Sequence, residues 1–111
     1  VENRYVNILG EEYKVITEVS IEDDEYLKKV WAYCDSSVKK IVVSETKEEI
    51  GSLEDLKKFK DEATRHEVIH AFLDESGLKE NSNWARNEEM VDFFAIQFPK
   101  IIKVFKELEI I

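Results

Sequence analysis

Apolar and polar positions change rhythm about half-way along this chain. Over residues 4–20 the period is two. RYVNIL alternates weakly, and YKVITEVS places Tyr13, Val15, Thr17 and Val19 on one face of a strand. Gly10-Glu11, between these runs, reads as a turn. WAYCD and KKIVVS are two further β-prone runs, with DSSVK between them as a second turn. Paired as a hairpin, they point Ile41 and Val43 inward. IEDDEYLKKV separates the two pairs and suits a short helix or a loop.

Beyond residue 50 the period lengthens to that of a helix, with Leu53, Leu56, Phe59, Ala63, His66 and His70 on one stripe. SLEDLKKFKDEATRHEVIHAFLDESG opens on Ser52, and Asp55 stands in the place of a capping-box glutamate. It closes at Gly77, a residue suited to the left-handed position past a helix end. KENSN is a loop, with Ser82 or Asn83 as the next N-cap. NWARNEEMVDFFAIQFPKIIKVFKEL is a long second helix, kinked near Pro99, which cannot donate to the preceding turn. Phe93, Phe94, Phe98 and Phe105 read as core, and Trp84 as core or the wall of a pocket. Strands first and helices after is an α+β order. Without repeats or linker-like tracts, residues 1–111 read as one domain, a small sheet of three to four strands packed on two main helices.

Composition narrows the partners. A net charge of −9 sets the chain against nucleic-acid phosphate, because binding would meet repulsion instead of releasing counterions. No apolar run is long enough to span a membrane. VENRYVNILGEEY lacks the basic start and apolar stretch of a signal peptide. Cys34 is the sole cysteine, so no disulfide framework exists and a reducing cytoplasm fits.

Both histidines of the chain lie in ATRHEVIHAF, four residues apart. On a helix, positions i and i+4 share a face, so His66 and His70 can aim at one point. Glu67 sits beside that point, placed to take a proton from a metal-bound water. This is the His-Glu-x-x-His logic of zinc peptidases. Such a string arises by chance in well under about 1% of chains this long. An ordinary pair of surface histidines is the bland alternative, and the apolar flanks Val68, Ile69, Ala71 and Phe72 argue for a packed helix instead.

A catalytic zinc takes three protein ligands and leaves the fourth position open. With no third histidine, the third ligand must be a carboxylate, and NEEMVD on the next helix offers Glu88 or Glu89. Asp92 lies one turn beyond Glu88 and can accept the second ring proton of a ligating histidine. One turn beyond Glu89 is Phe93, which cannot, so Glu88 is preferred. Tyr33, Arg65 and Arg86 are candidates to stabilise an oxyanion, each weighed against a structural role. Cys34 is either an inhibitory thiolate at the metal or, more in keeping with free cysteines, a small buried apolar residue.

HEVIH followed by Asn87-Glu88 and Asp92 resembles the gluzincin metallopeptidases, whose third ligand is a glutamate on a second helix. EEMVDFFAIQFP is similar to the corresponding helix of the small ImmA/IrrE-type metallopeptidases. Glu88, Val91, Asp92, Phe94, Ala95 and Pro99 stand at the pattern positions, with Val91 where that group has a smaller residue. The resemblance covers roughly residues 31 to 99. It implies a minimal zincin-like domain, one Zn2+ held by His66, His70 and Glu88, Glu67 as general base, a peptide or protein substrate, and a phage or prophage setting. A non-catalytic zinc-binding regulatory or interaction module is the alternative, as is a purely structural zinc site. The resemblance further implies that KKIVVS, residues 39–44, lines the cleft and offers a free edge to an extended peptide. The rival arrangement covers that edge with the N-terminal strands.

Overall fold

The computed structural model describes residues 1–45 and 53–111. The order of elements is β1 (Glu2–Ile8), β2 (Glu11–Val19), a 3-10 turn (Glu25–Lys28), β3 (Ala32–Asp35), β4 (Lys40–Ser44), α1 (Leu53–Glu75) and α2 (Glu88–Glu107). Two short 3-10 turns, Leu78–Glu80 and Trp84–Arg86, join the helices. The fold is α+β, a four-stranded mixed sheet followed by two helices. The expected cap Ser52 lies outside the described residues.

β1 and β2 form a tight hairpin through Leu9 and Gly10, both at positive φ. The Asn7 side chain accepts from the Gly10 N–H at 2.8 Å. Two successive left-handed residues make the turn whose twist matches its strands. β3 and β4 form the second hairpin, as their pattern indicates, with Asp35 accepting from the Ser37 N–H and hydroxyl at 3.1 and 2.6 Å. The acidic stretch before β3 is the 3-10 turn, capped by the Asp24 side chain on the Tyr26 N–H.

The strand order is β1-β2-β4-β3, with β2 and β4 parallel. KKIVVS is therefore a central strand, and the expectation of a free edge along residues 39–44 is overturned. Ile41, Val42 and Val43 are all buried because both faces of β4 are covered. The edge beside the helices is β3. Ser44 N–H donates to the Trp31 carbonyl at 2.9 Å, which sets the phase of the ladder. Tyr33 then turns its backbone groups to β4, while Ala32 and Cys34 turn theirs off the sheet.

The pattern on β2 also breaks. The register with β4 shifts between Ile16 and Val19, and Glu18 takes φ 57. This bulge reverses the alternation. Tyr13 and Val15 join Ile8, Ala32, Ile41 and Val43 under α1, next to Ala63, Val68 and Ala71. Val19 instead joins Leu27 and Val42 on the opposite face.

α1 is tied to the sheet at its end. Glu75 accepts from the Tyr13 hydroxyl at 2.7 Å and pairs with Lys39, whose ammonium lies 5.7 Å from the Tyr13 ring centre. Tyr13→Phe keeps the packing and removes a charge-assisted hydrogen bond. A melting midpoint lowered by a few degrees is the expected outcome, read by thermal unfolding; an unchanged midpoint would deny the contact any weight.

α2 starts later than its sequence suggests. Ser82 and Asn83 do not cap it. Trp84–Arg86 forms a separate turn, and Asn87 is the cap, its side chain accepting from the Met90 N–H at 2.9 Å. α2 buries a narrow stripe, Val91 and Ala95, and runs through Pro99. The reading of its aromatics as core is corrected: Phe93, Phe98 and Phe105 are exposed, as is Trp84. Small residues occupy the contact line, so the phenylalanines flank it. Phe72, Trp84, Met90, Phe94, Phe98 and Ile102 wall an open apolar groove of about 590 Å3 between the helices. None of the described helices is long and apolar enough to cross a membrane.

Candidate metal centre

His66 and His70 project from one face of α1, one turn apart, and their rings meet edge to face at 4.8 Å. Glu88 is the first residue of α2, where a carboxylate is favoured by the helix dipole. Its two oxygens reach both rings, at 3.0 Å from His66 Nε2 and 3.0 Å from His70 Nε2. The two Nε2 atoms lie 3.1 Å apart. Among the described residues, these three side chains form a group whose ligand atoms all fall within 4.8 Å. Glu89 is exposed and outside that group.

The spacing suits a tetrahedral ion. Metal–ligand bonds of about 2.1 Å place neighbouring ligand atoms roughly 3.4 Å apart, close to the three separations here. The donor set, two imidazoles and a carboxylate, is one that zinc accepts. Asp92 Oδ1 lies 2.8 Å from His66 Nδ1. A carboxylate only accepts, so this contact calls for a ring proton on Nδ1, and with a cation in the triad the Nε2 lone pair would face it. His66, His70 and Glu88 make a candidate metal-binding triad. Compared with family models, curated proteins and solved structures, the chain gives no match in any of the three.

Glu67 is carried by the same turn of α1 but points to the sheet edge. It lines both neighbouring clefts, one with Ala32 and the other with Cys34, and the outward-phased Cys34 backbone favours its charged form. Burial pushes the Glu67 carboxyl up to about 7; His66 opposes this, while the nearby Glu88 and Asp74 add to it. A bound cation would pull the value back down, since the ion is the largest charge in such a site.

A cleft opens on each side of Glu67. One, of about 390 Å3, is lined by Trp31, Ala32, Phe59, His66, Glu67 and Asp92 among others. The other, about 270 Å3, includes Cys34, Glu67, His70, Asp74, Arg86 and Glu88. The side chains of Glu88 and Asp92 are 64% and 62% exposed, so the triad is open on the α2 side.

The oxyanion candidates separate. Tyr33 is not at the site. By strand alternation it faces away from α1, packs edge-on against Tyr26 and donates its hydroxyl to Asp24. Burial and that carboxylate push its phenol up to about 12. Arg65 is not at the site either, for its Nε donates to the Ala95 carbonyl of α2 at 2.6 Å. Arg86 lines the second cleft, though its guanidinium is already held by the Lys79 carbonyl at 2.9 Å and Asn83 Oδ1 at 2.7 Å. Cys34 lies outside the triad, and burial with the nearby Asp74 and Glu67 pushes its thiol up to about 12. Its place outside the group of ligand atoms speaks against an inhibitory thiolate. Asp74, one turn beyond His70, escaped the sequence reading; the His-to-Asp spacing of four was the available signal.

Proposed function

We propose that this chain is a zinc-dependent metallopeptidase that hydrolyses peptide bonds of a protein partner. The observation that carries the reading is the convergence of His66, His70 and Glu88 beside a carboxylate, Glu67, that lies against β3, the edge strand among the described residues. A zinc ion, when bound, polarises a carbonyl and brings a water toward neutral pKa. His66, His70 and Glu88 would hold that ion. Asp92 fixes the tautomer and tilt of His66. Glu67 takes the proton of the attacking water and returns it to the leaving amine. An extended peptide pairs with the outward groups of Ala32 and the Cys34 carbonyl along β3, so that its backbone passes both clefts. The net charge of −9 favours substrates with basic stretches near the cut.

The test is incubation of the zinc-loaded chain with unfolded polypeptides, with Glu67→Gln as the blank. Cleavage by wild type alone supports the peptidase; equal silence from both removes it. The second reading, a non-catalytic zinc-binding regulatory or interaction module of phage or prophage type, is favoured by one observation. Tyr33 and Arg65 are engaged elsewhere in the fold, and Arg86, though it lines the second cleft, is already held by the Lys79 carbonyl and Asn83.

The contact from Asp92 carries its own prediction. Asp92→Ala should weaken zinc affinity about ten- to a hundredfold, the usual effect of losing a histidine's carboxylate partner. Competition titration with a chromophoric chelator measures it. Affinity equal to wild type would mean that His66 needs no such support.

A further inference from the structure

Proline at position 99 removes the N–H that would donate to the Ala95 carbonyl in a regular helix, and its ring presses against that carbonyl. Ala95 is buried at 1% exposure, in the stripe of α2 that faces α1. A buried carbonyl deprived of its donor is costly unless another donor replaces it. The replacement is in place, because Arg65 Nε of α1 donates to Ala95 O at 2.6 Å. Proline and arginine thus form one device, in which a gap in the hydrogen bonding of α2 is filled from α1.

The device sits where the triad needs it. Arg65 immediately precedes His66, and Ala95 follows Glu88 by seven residues on the same helix, about 10 Å along its axis. The triad closes only if Glu88 on α2 stays in register with His66 and His70 on α1. The buried stripe of Val91 and Ala95 is apolar and leaves sliding and rotation weakly opposed. A directional bond across it fixes both. The geometry points to Arg65 as the positioning residue of the metal centre, acting through the carbonyl that Pro99 exposes. This inference rests on the metal-binding reading above.

The experiment is a double-mutant cycle read by metal affinity. Arg65→Met keeps most of the packing volume and removes the donor. Zinc affinity of the folded chain should fall about tenfold, at the lower end of what supporting residues contribute. The visible spectrum of the cobalt-loaded protein should lose intensity as the site departs from tetrahedral. Pro99→Ala restores a helical donor to Ala95 but no bond across the helices, so Arg65→Met in that background should regain stability and still lose zinc affinity about tenfold. If Arg65→Met fails to fold alone, the double variant decides: folding with affinity about tenfold below wild type supports the proposal, and near-wild-type affinity or no folding overturns it. A variant that melts earlier yet binds zinc and cobalt as wild type does would reduce Arg65 to a structural contact and overturn the proposal. So would an affinity loss that Pro99→Ala abolishes. Wild-type protein that binds neither metal would instead overturn the metal-binding reading itself.

Discussion

Glu88→Ala should empty the metal centre while leaving the fold intact. Wild type is expected to hold one zinc per chain by elemental analysis, and the variant close to none after the same dialysis. Two reasons set the size of the effect. Glu88 contacts both histidines through its two oxygens, so its removal leaves two ligands on one helix turn. Loss of a supporting residue already costs up to about a hundredfold in affinity, and loss of a ligand costs more. His66→Ala and His70→Ala should behave alike. Glu89→Ala should keep its zinc, since Glu89 is exposed and outside the triad. A thermal readout checks this independently. Free zinc at a thousand times its dissociation constant stabilises the folded state by about 4 kcal/mol, a gain the three ligand variants should lack. Full occupancy in Glu88→Ala together with loss in Glu89→Ala would move the ligand by one residue.

The second large effect belongs to Glu67→Gln. It should leave zinc content unchanged and remove peptide cleavage by about 10^2- to 10^4-fold, the range for a positioned general base. The amide keeps the size of the side chain, so the clefts it lines keep their shape. The separation of binding from turnover is what makes the variant informative. A variant that lost zinc would show Glu67 to be part of the metal-binding framework. A variant that cut at the wild-type rate would leave the cleavage without a role for Glu67 and would favour a contaminant as its source.

Some of this was readable from local pattern alone. The histidine pair, the two helices and the preference for Glu88 over Glu89 all follow from helical spacing, in which residues four apart must share a face. The second hairpin was equally local, a turn rich in small polar residues between two β-prone runs. What depended on contacts between distant segments was not readable. The bulge between Ile16 and Val19 sends Val19 to the opposite face, and nothing in YKVITEVS marks it. Tyr33 left the site for a related reason, because strand alternation decides its face once β3 is paired, and Ala32 and Cys34 took the face under α1.

The place of KKIVVS as a central strand came from β2 pairing with it in parallel, a choice between strands far apart in the chain. Hydrophobic pattern says that a strand is buried but not which neighbours bury it. The phenylalanines of α2 misled for the converse reason. Their spacing defines a helical stripe, but whether anything covers that stripe is a property of the surroundings, and Val91 and Ala95 took the contact line instead. In the sequence Arg65 read as a candidate oxyanion stabiliser and Pro99 as a helix kink, with nothing to connect them. Only the packing of α1 on α2 brought the arginine to the carbonyl that the proline leaves without its usual donor. Sequence alone sufficed to pick out the pairs His66 with His70 and Glu88 with Asp92, because each pair lies within one helical turn; that the two pairs meet is a matter of how α2 packs on α1. The tertiary structure decided which edge lies open beside them and what holds the two helices in register, because both depend on pairing between segments that local periodicity does not relate.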